Sequence, residues 1–139
     1  MKKWDRRMIN VAKEVSSWSK DPERQVGCVL TNFDYHIIST GYNGYPKGVD
    51  DANPNEKLFK SVHAEINAIL RIPWLAGNLR CFVYGGHPCA QCMASLIQAN
   101  VKYFVVPNLE LSSSWTESME TARGMVQDFE DELVYLNYI

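Results

Sequence analysis

Apolar residues recur at Trp4, Met8, Val11, Ala12, Val15 and Trp18, three or four apart, with polar and charged positions between them. This is the stripe of an amphipathic helix over about residues 4–19 that lays one face on a core. Asp21-Pro22 follows as its stop, because proline disfavours helix before it and lacks the N–H that would continue the ladder. The pattern then changes. Val26–Leu30 is a short apolar run around Gly27 and Cys28, Asn32-Phe33-Asp34 turns the chain, and His36–Tyr42 returns, which predicts a β-hairpin. Residues 41–60 are polar, glycine-containing and aperiodic, and such a long connection is expected to be a functional loop.

Beyond it, Ser61 is positioned to cap a helix over Val62–Arg71, ended by Pro73 and Gly77. Arg80–Tyr84 reads as a third strand. Pro88 suits the first turn of a helix running to about Ala99, and Tyr103–Val106 is a fourth strand. Ser114-Trp115-Thr116-Glu117 has the form of a capping box opening a last helix to about Glu130, and Leu133–Leu136 is a short fifth strand. A hairpin followed by strands alternating with helices predicts an α/β fold, a three-layer α-β-α sandwich around a mixed sheet of about five strands.

The 139 residues fit one domain, expected over 1–139, and the 46% apolar and 12% aromatic content suits a packed core. No run approaches the roughly 18 apolar residues of a membrane helix, and the charged N-terminus leads into no apolar segment of a secretory signal. A cytoplasmic location with no membrane partner is therefore expected. The net charge is −2, with ten cations against nine anions over residues 1–70 and four against seven over 71–139. No continuous basic surface follows from that distribution, which weighs against a nucleic-acid partner.

In a reducing compartment, four cysteines read as thiols or metal ligands rather than disulfides. Cys28 and Cys81 sit in apolar strands and read as inert buried thiols. Cys89 and Cys92, in Pro88-Cys89-Ala90-Gln91-Cys92, open a helix, where its positive end stabilises thiolates and the spacing brings both sulfurs to one face. A Cys-x-x-Cys alone suits a redox dithiol as well as a metal. The third soft donor, His63 in His63-Ala64-Glu65 at the start of another helix, favours a metal.

Residues i and i+2 diverge by about 200° inside a helix, so His63 and Glu65 can share a site only off the helix end. Three protein ligands on Zn²⁺ (His63, Cys89 and Cys92) leave a fourth position for a water, and Glu65 is the carboxylate placed to move its proton. The H-x-E…P-C-x-x-C arrangement is the signature of zinc nucleobase deaminases.

The chain resembles the deoxycytidylate (dCMP) deaminases of the cytidine deaminase superfamily over about residues 4–106. The resemblance rests on Ser19-Lys20-Asp21-Pro22, Gln25-Val26-Gly27-Cys28, Thr40-Gly41-Tyr42-Asn43-Gly44-Tyr45-Pro46-Lys47-Gly48, Val62-His63-Ala64-Glu65-Ile66-Asn67-Ala68 and Pro88-Cys89-Ala90-Gln91-Cys92. The glycine-containing loop is the most diagnostic of these segments, and the compact length fits a phage-type or bacterial member, the former working in host cytoplasm. The resemblance implies hydrolysis of dCMP to dUMP and ammonia by a zinc-activated hydroxide with Glu65 as proton shuttle. It also implies activation by dCTP and inhibition by dTTP, with Mg²⁺ on the triphosphate, in a homo-oligomer, a hexamer being favoured.

Carried over onto this chain, Asn43 contacts the deoxyribose 3′-hydroxyl and the Ala64 N–H the base carbonyl. Lys20 and Arg24 are candidates for the substrate phosphate. Gly44 and Lys47, with Arg6 or Arg7, are candidates for the effector. The chain departs from the family at Gly85-Gly86-His87, where an apolar residue is expected, and over Asn108–Trp115, which lacks a tyrosine-containing phosphate pattern. A deoxycytidine or cytidine nucleoside deaminase is the nearest alternative activity, and a polynucleotide-editing deaminase a more distant one.

Overall fold

The structure is a computed structural model describing residues 2–73, 76–108, 113–128 and 132–136, of which 113–115 and 132–136 are described by their backbone. The chain runs α1 (Lys3–Ser16), β1 (Gly27–Thr31), β2 (Ile37–Tyr42), a 3₁₀ turn (Pro54–Glu56), α2 (Lys57–Lys60) and α3 (Ala64–Leu70). It continues through β3 (Leu79–Tyr84), α4 (Ala90–Gln98), β4 (Val101–Pro107), α5 (Ser113–Asp128) and β5 (Glu132–Leu136). Among the described residues the strands form one mixed sheet in the order β2-β1-β3-β4-β5. The hairpin strand β1 is antiparallel to both β2 and β3, while β3, β4 and β5 run parallel.

Alternation along the strands divides the core into two layers. Val29, Phe82, Tyr103 and Val105 face α1 and meet its Met8, Ile9, Ala12 and Val15. Cys28, Leu30, Cys81, Val83, Phe104 and Val106 point to the other face, against Ala64 and Ala68 of α3, Met93 and Leu96 of α4, and Ala122 and Val126 of α5. The three-layer α-β-α sandwich expected from the sequence is the fold that forms. Each fully buried Val, Leu or Phe in these layers contributes on the order of 1.5–3 kcal/mol. Among the described residues no helix is long and apolar enough to cross a membrane.

The first helix is shorter than its periodicity predicts. It ends at Ser16, where the Ser16 and Ser17 hydroxyls donate to the carbonyls of Lys13 and Glu14, each at 2.6 Å. Met8 is buried as expected, whereas Trp4 and Trp18 are about half exposed. The helix also buries a carboxyl group: Asp5 accepts hydrogen bonds from the hydroxyls of Tyr35, at 2.9 Å, and Tyr103.

Three helix starts differ from expectation, each for a local reason. Ser61 does not cap α3; it closes α2 through its N–H to the Lys57 carbonyl. Val62 pairs with Gly44 in a β-bridge, which keeps the chain extended through His63 and delays helix until Ala64. Pro88 precedes α4 instead of entering it, because Cys89 is the N-cap and its sulfur accepts the Cys92 N–H at 3.3 Å. Ser114 is the second residue of α5 rather than its cap, and the expected end at Glu130 lies outside the described residues. The loop expected over 41–60 contains two helical turns. Asn53 opens them by accepting the Asn55 N–H, Pro54 has its φ fixed for helix, and Lys60 pairs with Glu56 one turn on.

Two glycines let the helices approach the hairpin on opposite faces. A Cβ on Gly27 would overlap the Ala12 carbonyl oxygen and approach the Ser16 nitrogen of α1; one on Gly41 would overlap the Ala64 carbonyl oxygen and the Ala68 nitrogen of α3. The backbone of α3 therefore rests directly on β2, fixed further by the Ser39 hydroxyl donating to the Ala68 carbonyl. Substituting Gly41→Ala is expected to lower unfolding free energy in urea by about 1–3 kcal/mol through overpacking. Gly44→Ala, whose added methyl meets nothing within 4 Å, is expected to stay within about 0.5 kcal/mol of wild type. Equal stability of the two variants would contradict this seating of α3.

Candidate active site

The starts of α3 and α4 lie side by side on the sheet face opposite α1, and each begins with a metal-donor side chain in the N-cap position. His63 holds an extended backbone (φ −69°, ψ 155°) before α3, and Cys89 does the same (φ −71°, ψ 170°) before α4. A side chain at an N-cap projects off the helix end, which resolves the i, i+2 problem raised by His63 and Glu65. His63 Nδ1 is 3.2 Å from Cys92 Sγ and 3.7 Å from Cys89 Sγ. The three donor atoms all lie within 4.8 Å of one another. Tetrahedral zinc with ordinary Zn–N and Zn–S bonds separates its ligand atoms by roughly 3.6 Å, so this set fits the ion.

The electrostatics suit that occupant. Cys89 is drawn down to about 4 by the hydrogen bond from the Cys92 thiol, with burial opposing and further bonds from His63 and the Cys92 N–H assisting. Cys92 is pushed far up because it is the donor to Cys89 and is buried near Glu65. A metal that replaces the shared proton removes that conflict, since thiolate ligands are deprotonated on binding. The hydrogen bond with Cys89 raises His63, against the effect of its burial. Glu65, in the first turn of α3, is 3% exposed, and its burial raises the carboxyl above the ordinary glutamate value.

His63, Glu65 and Cys89 line a cleft of about 430 Å³, and Cys92 is buried beside them. Ala64 and Asn43 stand beside them, and Asp21, Glu23, Arg24 and Lys57 form the charged mouth. Asn43 is buried, and its amide is fixed by protein partners: Oδ1 accepts the Val26 N–H at 2.9 Å and Nδ2 donates to the Arg24 carbonyl at 2.9 Å. His87, from the departing Gly-Gly-His segment, is buried in the wall. Its Nδ1–H donates to the Pro88 carbonyl at 2.8 Å, and burial lowers its basicity.

The structure thus brings together Glu65, His63, Cys89, Cys92, Asn43, Ala64 and Arg24. Lys20 lies elsewhere: it is exposed, 3.7 Å from Asp51, and lines a second cleft of about 530 Å³ together with Gly44 and Lys47. Arg6 and Arg7 are on α1, across the sheet, and line neither cleft; Arg7 stacks on Trp4 at 4.5 Å. Sequence reasoning missed Lys57. The signal that could have found it was Asn53-Pro54, an N-cap followed by an N1 proline inside the supposed loop.

Residues 2–107 match the family model described as the cytidine and deoxycytidylate deaminase zinc-binding region. The chain belongs to that family. The matched segment contains every residue of the cleft, and the protein is a zinc-dependent deaminase. An uncharacterised deaminase of Aliivibrio fischeri is 36% identical over 142 residues, covering 96% of this chain and 94% of that protein. A probable deoxycytidylate deaminase of Caenorhabditis elegans is 40% identical over 125 residues; the match covers 81% of this chain but 62% of the nematode protein. The dCMP deaminase of cyanophage S-TIM5 shares the fold at 22% identity. Its apo form has a TM-score of 0.76 over 98% of this chain and 100% of its own, and its complex with dCMP and dUMP has 0.75 over 98% and 99%.

The low value at Cys89 gives this deaminase a measurable property in its metal-free form. Above about pH 5 the Cys89 sulfur is already thiolate, so its alkylation rate is expected to stay flat from pH 5 to 8. An ordinary cysteine would accelerate about tenfold per pH unit over much of that range. Mass-spectrometric rates on zinc-stripped protein check this, and zinc should protect the residue; a steady rise with pH would contradict it.

Proposed function

We propose that this deaminase hydrolyses dCMP to dUMP and ammonia, working as one deaminase domain over residues 1–139. The observation that carries the proposal is the placement of buried Glu65 beside the His63, Cys89 and Cys92 donors, in a cleft whose mouth bears Arg24 and Lys57. The dCMP and dUMP complex of the structurally similar cyanophage enzyme supports the same substrate.

Bound zinc supplies a water acidic enough to lose a proton near neutral pH. Glu65 accepts that proton and passes it to the ring nitrogen N3 as the water oxygen bonds to C4. It then takes the remaining proton from that oxygen and delivers it to the amino group as the C4–N bond breaks and the C4 carbonyl forms. One water is consumed and one ammonia released, with Glu65 ending as it began. Burial suits it to this work, because a raised carboxyl holds a proton more readily and so serves as acid and base in turn. The Ala64 N–H belongs to the first turn of α3, where helical geometry leaves donors without internal acceptors, and it receives the carbonyl of the base. Asn43 Oδ1 keeps a second lone pair for the 3′-hydroxyl while its protein partners hold it still.

The second cleft is the place for effector control, by dCTP as activator and dTTP with Mg²⁺ as inhibitor. Gly44 and Lys47 line it, with Lys20 and Arg71 as further cations and Trp18, Tyr42 and Tyr45 as aromatic surfaces. It shares Asp21, Asn43, Lys57 and Ser61 with the substrate cleft, a short route between the two. A homo-oligomer, the hexamer being what the family resemblance favours, would cover the strongly exposed Leu58, Phe59 and Leu70. Arg6 and Arg7 would then meet an effector only from a neighbouring copy.

A nucleoside deaminase is the second reading, favoured by Asp21 and Glu23 at the mouth, whose charges oppose a phosphate. Ammonia release from dCMP and from deoxycytidine separates the two; preference for deoxycytidine would overturn the dCMP assignment. In the same assay Glu65→Ala is expected to retain one zinc per chain yet lose about 10²–10⁴-fold in kcat, and full activity would refute its role. For the effector, dTTP with Mg²⁺ is expected to raise Tm, and Lys47→Ala to blunt that rise. No dTTP effect on Tm or rate would remove the regulatory reading.

A further inference from the structure

We propose that Lys57 determines the preference for a 5′-phosphate by exchanging ion-pair partners, Asp21 in the free protein and the phosphate in the complex. The inference rests on the nucleotide-deaminase reading of the cleft and names the group that makes it a nucleotide site. Lys57 Nζ is 2.7 Å from Asp21 Oδ2 and 3.9 Å from Glu23 Oε2, at the mouth of the substrate cleft. In the free protein the ammonium is thus held by carboxylates.

Exchange is feasible because Asp21 does not depend on Lys57 alone. Its Oδ1 accepts the N–H groups of Glu23 and Arg24 at 2.9 and 3.1 Å, and the Asn43 amide lies 3.5 Å from Oδ2. Burial works to raise Asp21, but the Lys57 bond and these N–H donors outweigh it and hold the carboxyl below its ordinary value. When Lys57 leaves, both backbone N–H bonds to Asp21 Oδ1 remain in place. Glu23 is 84% exposed and can turn into solvent.

Lys57 is free to make the exchange. Its side chain is 38% exposed, on a short helix, with a flexible stem carrying a compact charge. A phosphomonoester offers about −1.5 to −2 charge and three acceptor oxygens against the single charge of a carboxylate, so it competes well for the ammonium. A nucleoside offers nothing to compete with Asp21 and leaves the pair closed. The charge balance at the mouth then favours the phosphorylated substrate: Arg24 and the released Lys57 face the phosphate while Asp21 remains tied to backbone N–H groups.

The test compares kcat/KM for dCMP with that for deoxycytidine in zinc-loaded wild type, Lys57→Met and Lys57→Arg. The dCMP:deoxycytidine ratio is expected to be high in wild type and to fall about 10- to 100-fold in Lys57→Met, the worth of one charge-assisted hydrogen bond. The fall should reside in KM for dCMP, Lys57→Arg should recover most of it, and inhibition by inorganic phosphate should weaken in Lys57→Met. A high wild-type ratio that Lys57→Met leaves within threefold overturns the role of Lys57 alone. A wild-type ratio near one overturns the nucleotide reading, and this inference with it.

Discussion

The site depends on two helix starts being held side by side with a metal donor at each N-cap. His63 stands before α3 and Cys89 before α4, both with extended backbone, so their side chains leave the helix ends and meet in the space between. Cys92, one turn into α4, completes the set, and Glu65 in the first turn of α3 comes beside it. The helix ends also contribute electrostatically, because their unsatisfied N–H groups favour the thiolates and carboxylate gathered there. Remove the convergence and the same four side chains become an ordinary exposed histidine, a buried acid and two thiols.

What holds the convergence is close packing on the sheet. Gly41 lets the backbone of α3 sit directly on β2, the Ser39 hydroxyl ties the two, and the Gly44–Val62 bridge keeps His63 extended until the helix begins. On the other side α4 packs against α5, and the Ser118 hydroxyl accepts the Ala90 N–H at the first turn of α4. Across the sheet α1 uses the same device at Gly27, so the hairpin is gripped from both faces. The buried Asp5, satisfied by two tyrosine hydroxyls, links α1 to the turn before β2 and to β4.

Much of this was legible in sequence. The stripe from Met8 to Val15, the apolar runs of β1, β3 and β4, and the His63-Ala64-Glu65 and Pro88–Cys92 segments each carry strong local signals, and the elements they predict exist. The boundaries that failed did so where a tertiary partner outranked a local one. Ser61 looked like a cap, but the bridge between Val62 and Gly44 made the next two residues extended. Pro88 looked like a first helical residue, but the Cys89 sulfur took the capping bond. Lys57 was hidden because Asn53-Pro54 opens a helix too short to show periodicity. Lys20 and Arg24 are equivalent as cations near a turn, and only folding puts Arg24 at the mouth and Lys20 in the neighbouring cleft.

The sequence by itself therefore determined the donor set and the layered α/β class. Ligand chemistry is a matter of residue type and spacing, and layer order follows from hydrophobic period. The tertiary structure decided which charges share a cleft. That depends on distances between segments such as Asp21 and Lys57, 36 positions apart in the chain but 2.7 Å apart in space. No local pattern encodes that meeting, because it arises from the path of the backbone around the hairpin and into α2.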